Sequence, residues 1–173
     1  SDCIEKTDTT ACAHVLLPAT GWGEKDGTVT NSERRISRQR AVVPAPGEAR
    51  HDWRIVCDIA ARMGFGDAFD YPGPAAIFRE HAALSGFENA GTRAFDIGAL
   101  AHLPDDAYEA LAPVQWPVNA AHPAGTRRLF GDGRFFTPSG RARLVAVHAA
   151  LPCQEGAAEY PFVMITGRVR DQW

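Results

Sequence analysis

The pattern of the sequence changes near Thr126, from helical spacing between glycine- and proline-containing loops to short apolar runs between turns. Before this point, apolar residues recur at three- and four-residue intervals, which is typical of amphipathic helices. After it, the Gly-Asp-Gly turn at 131–133 separates two runs, 128–130 and 134–137, as in a β-hairpin. The sequence therefore predicts an α/β part followed by the beginning of a β part.

Two longer helices are predicted in the first part. One spans residues 52–63, with Asp52 as its N-cap and Gly64 as the residue that ends it. The other spans residues 74–86 and begins with Pro74 in its first turn.

The remaining segments are predicted to be short. Short helices are expected at 9–13 and near 105–111, the latter inside a loop-rich region at 87–125. Extended segments or strands are predicted at residues 14–18, 28–30, 40–43, 142–147 and 162–165.

Composition narrows the classes of protein. The 173 residues are 45% hydrophobic and 23% charged, with a formal net charge of -3, which is typical of a globular chain and not of a general nucleic-acid binder. No apolar run approaches the roughly 20 residues of a membrane span, and no signal peptide is visible. Since the chain does not begin with Met, we expect a piece of a longer protein.

The four cysteines do not follow a metal-binding pattern. None of Cys3, Cys12, Cys57 and Cys153 has the C-x-x-C spacing of zinc or iron–sulfur sites. Cys12 and Cys57 are expected to be small buried side chains, and a reducing, cytoplasmic compartment is the simplest interpretation.

The glycine-rich segment 21–27 lacks both common phosphate-loop patterns, since its glycines at 21, 23 and 27 miss G-x-G-x-x-G by one position. A surface turn is one interpretation. A ligand loop is the other, because the segment follows the predicted strand 14–18, and Lys25 would then meet a phosphate.

Arginines are concentrated between residues 31 and 54. Six arginines stand against three acidic residues there, a local charge of 6 − 3 = +3. They either cover a solvated face or form bidentate contacts with an anionic ligand or a buried carboxylate.

Asp2 and Asp52 have two interpretations. Asp52 is explained by helix capping, but a carboxylate can also accept two hydrogen bonds from the edge of a guanine base. Thr166, Gly167 and Arg168, after the last predicted strand, form a compact anion-binding pattern. No spacing of histidines, nucleophiles or paired carboxylates predicts a catalytic or metal-ligating residue.

The run from Gly21 to Arg40 resembles a stretch of the molybdopterin oxidoreductase family, in particular its bacterial assimilatory nitrate reductases. Ser1, Asp2 and the run 15–19 resemble the preceding segment of these proteins. Residues 132–138 and 166–173 resemble later segments in the same order, so the similarity covers nearly the whole chain.

This resemblance implies a molybdenum ion held by two molybdopterin guanine dinucleotides, together with a [4Fe–4S] cluster whose ligands lie outside these residues. It implies no catalytic residue and no metal ligand in this piece. The cofactor-binding positions that it implies are Ser1, Asp2, Lys25, Asp52, Thr166, Gly167, Arg168, Val169, Arg170, Asp171, Gln172 and Trp173.

The expected fold is a Rossmann-like, three-layer α/β domain portion at 1–115, a linker with hairpins at 116–155, and the start of a double-psi-type β-barrel domain at 156–173. The expected function is that of a nitrate reductase in nitrate assimilation, with the fragment inactive by itself. Its partners would be the rest of its own polypeptide, nitrate and an electron donor protein. One alternative is a formate dehydrogenase or another oxidoreductase of the same family, and a second is a cofactor-free binding module with the same fold.

Overall fold

The first predicted helix is present in the computed structural model, which describes residues 1–148, 159 and 161–162. Helix α1 spans Asp52–Arg62 and ends before Gly64, whose φ of 90° glycine adopts without a steric penalty. His51, and not Asp52, is the N-cap. The predicted capping role of Asp52 is therefore wrong, because the Asp52 carboxylate bonds to Lys25 and Ser1 instead.

The other predicted helices are also confirmed. Helix α2 spans Pro74–Gly86 with Pro74 at its start, and helix α3 spans Asp105–Glu109. The helix expected near the N-terminus is a 3₁₀ turn at Thr10–Cys12. Further 3₁₀ turns lie at Trp22–Glu24, Gly66–Phe69 and Gly98–Leu100.

The chain also forms a three-stranded antiparallel sheet, and in sequence the three α-helices lie between its second and third strands. Its strands are β1 (Gly27–Thr30), β2 (Arg35–Gln39) and β3 (Val114–Gln115), in the order β1-β2-β3. Thr28 pairs with Arg38, and Ile36 pairs with both Thr30 and Val114. The described residues thus combine helices with a small sheet, as an α/β fragment would.

The central strand β2 lies inside the polar, arginine-rich stretch. The expected extended piece at 40–43 is not a strand, and the strand begins five residues earlier. The reason is the alternation along β2: Ile36 and Arg38 are two residues apart and point to the same face. Ile36 is buried, and the Arg38 side chain is only 2% exposed because carboxylates neutralise it.

The core is built from the sheet, α2, α3 and the loop-rich region. Its fully buried members are Ile36, Phe78, Ala82, Ile97, Tyr108 and Val118. The Phe78 and Tyr108 rings pack with their centroids 5.4 Å apart. The region 87–125 therefore supplies half of this cluster, which its glycines and prolines did not indicate.

The predicted buried strand at 14–18 is wrong. Val15 is 73% exposed, and Leu16 and Leu17 are also exposed. Only Pro18 joins a parallel bridge, with Asp2. Residues 14–17 lack a neighbouring strand among the described residues, and the bond from the Asp2 amide to the Leu17 carbonyl at 3.3 Å belongs to this isolated bridge and not to a sheet.

The predicted hairpin at 128–137 forms only its turn. The Gly133 amide donates to the Phe130 carbonyl at 3.0 Å, but neither flanking run is a strand. Instead, the Asp132 carboxylate accepts from the Arg134 amide, and Thr137 donates to the Arg141 carbonyl. Such local side-chain bonds compete with a β-ladder for the backbone.

One face of α1 remains apolar and exposed. Val56, Ile59 and Met63 follow each other at helical spacing and are 53%, 45% and 67% exposed. Only Ile55 and Ala60 of this helix are buried. Cys12 is exposed, contrary to the expectation of burial, and Cys57 is partly buried.

The chain divides into two compact units, Ser1–Arg141 and Ala142–Trp173. In the second unit, the described residues 142–148 are not a strand, so that prediction is wrong. The strand predicted at 162–165 lies outside the described residues except for Phe162, which is exposed. The predicted domain boundaries near 115 and 155 stay predictions.

Candidate functional site

Three of the predicted site residues meet at one carboxylate. The Lys25 ammonium donates to Asp52 Oδ2 at 2.7 Å, and the Ser1 hydroxyl donates to Asp52 Oδ1 at 3.0 Å. Each oxygen of the carboxylate therefore has one partner within the chain and a second lone pair for another donor. Positions that are 51 and 27 residues from Asp52 converge on a single side chain.

Three backbone segments running side by side create this convergence. Asp2 forms a parallel bridge with Pro18, and Ala19 forms one with Arg50. The Ala19 amide donates to the Asp2 carbonyl at 3.0 Å, and the Thr20 amide donates to the Arg50 carbonyl at 3.0 Å. Since Ser1 and Asp52 lie at the ends of two of these segments, the bridges place their side chains next to each other.

The turn that carries Lys25 is held from both sides. The Glu24 carboxylate accepts from the Gly21 amide at 2.7 Å, which closes the 3₁₀ turn. The Gln39 side-chain amide donates to the Trp22 carbonyl at 2.8 Å, and the Val42 amide donates to the Gly23 carbonyl at 2.8 Å. These contacts fix the direction in which Lys25 leaves the turn. A surface turn and a ligand loop are thus compatible descriptions of the same segment.

The charge at the site is stabilised locally. The hydrogen bond from Lys25 lowers the pKa of Asp52 from its ordinary value; partial burial opposes this shift, and Ser1 adds to it. The Asp52 side chain is 49% exposed and that of Lys25 is 36% exposed. The carboxylate is therefore ionised at neutral pH and remains open to a further hydrogen-bond donor.

A cavity of about 560 Å³ is lined by Asp2 and Glu24, the sequence neighbours of Ser1 and Lys25. Its acidic side chains are Asp2, Glu5, Glu24 and Glu48, and no basic side chain lines it. Such a lining suits a ligand with N–H donors and disfavours a phosphate. Leu17 and Gly21 also line this cavity.

Arg38 is the buried arginine of the polar stretch. Its guanidinium donates to Asp26 Oδ1, to Glu109 Oε1 at 2.6 Å and to the Gly27 carbonyl at 2.7 Å. Burial acts to lower its pKa, but the hydrogen bonds that it donates to Asp26 and Glu109 outweigh this and raise the pKa. Arg38 therefore contacts carboxylates, as one interpretation of this stretch predicted, but it bonds to two partly exposed carboxylates and not bidentately to a buried one.

The structure thus brings together Ser1, Lys25 and Asp52, whereas the Asp2 carboxylate accepts from the Ile4 amide at 3.0 Å. The role of these four residues in binding stays a prediction. Thr166, Gly167, Arg168, Val169, Arg170, Asp171, Gln172 and Trp173 lie outside the described residues. Sequence reasoning missed Glu24 and Glu48, because isolated glutamates in loops carry no spacing signal.

Two negative findings hold for the described part of the chain. No group of three or more His, Cys, Asp or Glu side chains there could hold a metal ion. No helix there is long and apolar enough to cross a membrane.

Comparison with known proteins identifies the family. Residues 1–62, which contain the whole Ser1, Lys25 and Asp52 cluster, match the family model described as "Molybdopterin oxidoreductase". The complete chain is 50% identical over 173 residues to a "Nitrate reductase" of Klebsiella oxytoca. The chain belongs to the molybdopterin oxidoreductase family. It covers 19% of that Klebsiella protein and so spans about a fifth of the length of such relatives.

Proteins with different names are similar to this chain. The chain is 33% identical over 172 residues, 96% of its length, to the "Assimilatory nitrate reductase catalytic subunit" of Bacillus subtilis, of which it covers 22%. It is 34% identical over 163 residues, 94% of its length, to the "F420-dependent formate dehydrogenase subunit alpha" of Methanocaldococcus jannaschii, of which it also covers 22%. Proteins named as nitrate reductases and as formate dehydrogenases are therefore both similar to it.

Proposed function

We propose that this chain is a cofactor-binding section of a molybdenum enzyme that reduces nitrate to nitrite, and that it holds the guanine end of a molybdopterin guanine dinucleotide. The observation that carries the proposal is the Asp52 carboxylate, which is held by Ser1 and Lys25 and still half exposed. A carboxylate fixed in this way can accept both N–H donors on the edge of a guanine base.

The residues present fit the guanine end of this cofactor better than its phosphates. The neighbouring cavity has carboxylates and no basic side chain, so a diphosphate there would be repelled. Lys25 is the cation at the cluster, and its charge offsets that of Asp52. We therefore assign Ser1, Asp2, Lys25 and Asp52 to the guanine nucleotide, and residues 166–173 to the part of the cofactor nearer the metal.

When bound, the molybdenum cofactor supplies the oxygen-atom transfer chemistry, with electrons from an iron–sulfur cluster bound elsewhere in the protein. The residues of this chain bind and orient the cofactor. In this proposal residues 1–115 belong to a Rossmann-like, three-layer domain, residues 116–155 are a linker, and residues 156–173 open a double-psi-type barrel. The rest of the polypeptide completes the site, an electron donor protein reduces it, and the enzyme works in nitrate assimilation in the cytoplasm.

Nitrate is favoured as the substrate by the 50% identity to the Klebsiella oxytoca protein, against 34% for the Methanocaldococcus jannaschii one. Formate is the second candidate, because the formate dehydrogenase similarity also extends over 94% of the chain. A cofactor-free module that keeps the fold is the third.

The test uses the full-length protein, purified without air. Oxidation of a reduced viologen dye on addition of nitrate is followed, with formate-driven dye reduction as the paired control. We expect turnover with nitrate only. Formate turnover would overturn the substrate while keeping the cofactor assignment, and a full-length protein without molybdenum or either activity would favour the cofactor-free module.

A further inference from the structure

Arg38 connects three parts of the fold through one guanidinium. On one side it contacts Asp26 and the Gly27 carbonyl, at the start of β1. On the other side it donates to Glu109 at 2.6 Å, at the end of α3. Arg38 itself lies on β2, so the end of α3 and the start of β1 are held by the same side chain.

The Arg38 guanidinium packs over the Tyr108 ring. The central carbon of Arg38 lies 4.2 Å from the centroid of this ring, within the distance of a cation–π contact. Tyr108 is 1% exposed and belongs to the core cluster with Phe78. The Arg38 side chain, 2% exposed, is thus packed against the buried core cluster.

Asp26, to which Arg38 donates a hydrogen bond, directly follows Lys25 in the sequence. Asp26 separates Lys25 from the first residue of β1, and two of the Arg38 contacts fall on Asp26 and Gly27. Because residues 26 and 27 are held by Arg38, the backbone of the adjacent Lys25 is held in position as well. From this position the Lys25 ammonium reaches Asp52 Oδ2 at 2.7 Å. The path from core to site is therefore Tyr108, Arg38, Asp26 and Lys25.

We propose that Arg38 is a positioning residue for Lys25. Through Asp26 and Lys25, its guanidinium links the core to the Asp52 carboxylate that binds guanine. This inference rests on the proposed function, since it gives the Lys25–Asp52 pair a purpose in nucleotide binding. A lysine at position 38 would keep the positive charge, but its single ammonium cannot replace a planar fork with separate contacts to Asp26 and Glu109.

The test measures binding of guanosine monophosphate to the full-length protein freed of cofactor, by calorimetry. Arg38→Lys is expected to weaken this binding about tenfold, the loss that corresponds to roughly 1.4 kcal/mol of misplaced hydrogen bonding. Arg79→Lys is the matched control, because Arg79 also bonds to α3, through Asp105 at 2.7 Å, but forms no hydrogen bond or ion pair with residues 25–27 in the described part of the chain. We expect binding by this control to stay within about twofold of wild type.

A double-mutant cycle separates positioning from general stabilisation. In the background of Lys25→Met, Arg38→Lys is expected to cause almost no additional loss of affinity, because the residue through which it acts is gone. An equal loss in both backgrounds would overturn the positioning role. A loss with Arg79→Lys as large as that with Arg38→Lys would overturn it as well.

A second variant and a second measurement guard against misfolding. Glu109→Gln keeps Arg38 and weakens its contact with α3, together with the longer, exposed Arg40–Glu109 pair at 3.9 Å; the Glu109 side chain is 58% exposed. Hydrogen exchange of the amides at 21–27 is expected to be faster in this variant and in Arg38→Lys, while exchange in α2 is unchanged. Unchanged exchange at 21–27 in both would overturn the inference.

The two proposals fail in different ways. If wild type binds the nucleotide and Lys25→Met weakens the binding, but Arg38→Lys does not, then only the role of Arg38 is lost. If wild type does not bind the nucleotide, the guanine assignment and the inference built on it are both overturned.

Discussion

The Lys25 ammonium lies 2.7 Å from Oδ2 of Asp52, which joins the turn before β1 to the first residue of α1. The pair is half exposed, so its Coulomb energy alone contributes little to stability. Its geometry, however, is fixed by contacts that do not depend on the pair itself, including the Glu24 bond to Gly21. A weakly stabilising pair held in this way is well suited to exchange part of its hydrogen bonding with a ligand.

Replacing Asp52 by Asn in the full-length enzyme should lower the amounts of molybdenum and guanine nucleotide that copurify with it. The amide keeps the shape but loses the charge and presents a donor where guanine also has donors. We expect a loss of tenfold or more, on the order of 1.5–3 kcal/mol for a hydrogen bond to a charged group. Metal analysis and release of guanine nucleotide on acid hydrolysis measure it.

Asp58→Asn is the control for this change. Asp58 lies on the same helix and pairs with Arg50 at 2.6 Å. The substitution therefore weakens a comparable ion pair that does not include Ser1, Lys25 or Asp52. Cofactor content is expected to stay at the wild-type level. Equal losses in Asp52→Asn and Asp58→Asn would mean that only the stability of α1 had been tested.

Acidification should loosen the start of α1. The pKa of Asp52 is lowered in the folded chain, first by the hydrogen bond from Lys25 and also by that from Ser1, against the effect of burial. Its contribution to stability is therefore complete above the pKa of the unfolded chain and is lost as the pH falls through the lower, folded value. Since the group is half exposed, the contribution is at most about 1 kcal/mol.

Hydrogen exchange in the first turn of α1, compared between pH 6 and more acidic solution, measures this contribution after correction for the intrinsic rate. The acid-dependent change should disappear in Asp52→Asn. If the variant and wild type show the same pH dependence, another group is responsible for it.

Tyr108→Phe should be tolerated. The Tyr108 hydroxyl is buried and has no hydrogen-bond partner among the described residues, and burial raises the pKa of the phenol, so it stays neutral. Removing an unpaired buried hydroxyl is neutral or stabilising, within about 1 kcal/mol. Tyr108→Ala, which also removes the ring beneath Arg38, should cost about 3–5 kcal/mol. Local hydrogen exchange in α3 distinguishes the two; a severe loss in Tyr108→Phe would reveal a partner for the hydroxyl.

Gly125→Ala should be destabilising through a direct clash. Gly125 has a φ of 84°, and a Cβ there would lie 2.7 Å from the Gln115 carbonyl oxygen and 2.9 Å from Val114 Cγ2. Both atoms belong to β3, so the strand must move. A cost above about 2 kcal/mol is expected, since conformational strain of about 1–2 kcal/mol adds to the clash.

Gly133→Ala separates the two contributions. Gly133 has a similar φ of 74°, but a Cβ there meets nothing within 4 Å, so only the conformational cost of roughly 1–2 kcal/mol remains. Denaturant unfolding of the two variants gives the difference. Equal costs would show that β3 moves freely away from Gly125.

The helices could be predicted from the sequence because their signals are local. Pro74 and Gly86 bound α2 as expected, and Gly64 ends α1. Of the strands, only β1 was predicted, from the segment at 28–30; β2 and β3 were not, because a strand needs a partner that local sequence does not specify. Residues 14–18 have the composition of a buried strand and yet are exposed, whereas the polar residues of β2 pair on both sides.

The candidate site shows the same division. Lys25 and Asp52 were singled out for their chemistry and for the resemblance, and the structure places them in contact. The contacts that fix them, such as Gln39 to the Trp22 carbonyl, join residues 17 apart and carry no sequence signal. The capping interpretation of Asp52 failed because a carboxylate near a helix start also bonds to a lysine when one is within reach.

The uncovered apolar face of α1 has a practical consequence for handling these residues apart from other chains. The exposed side chains of this face, Val56, Ile59 and Met63, can associate with apolar surface on another molecule. Each Å² of apolar surface buried in this way contributes about 25 cal/mol of favourable free energy. During expression, the 173-residue polypeptide would therefore bind holdase chaperones. After purification it would bind hydrophobic dyes and precipitate as its concentration rises. Charged replacements at Val56 and Met63 would be the first changes to make in order to keep it monodisperse.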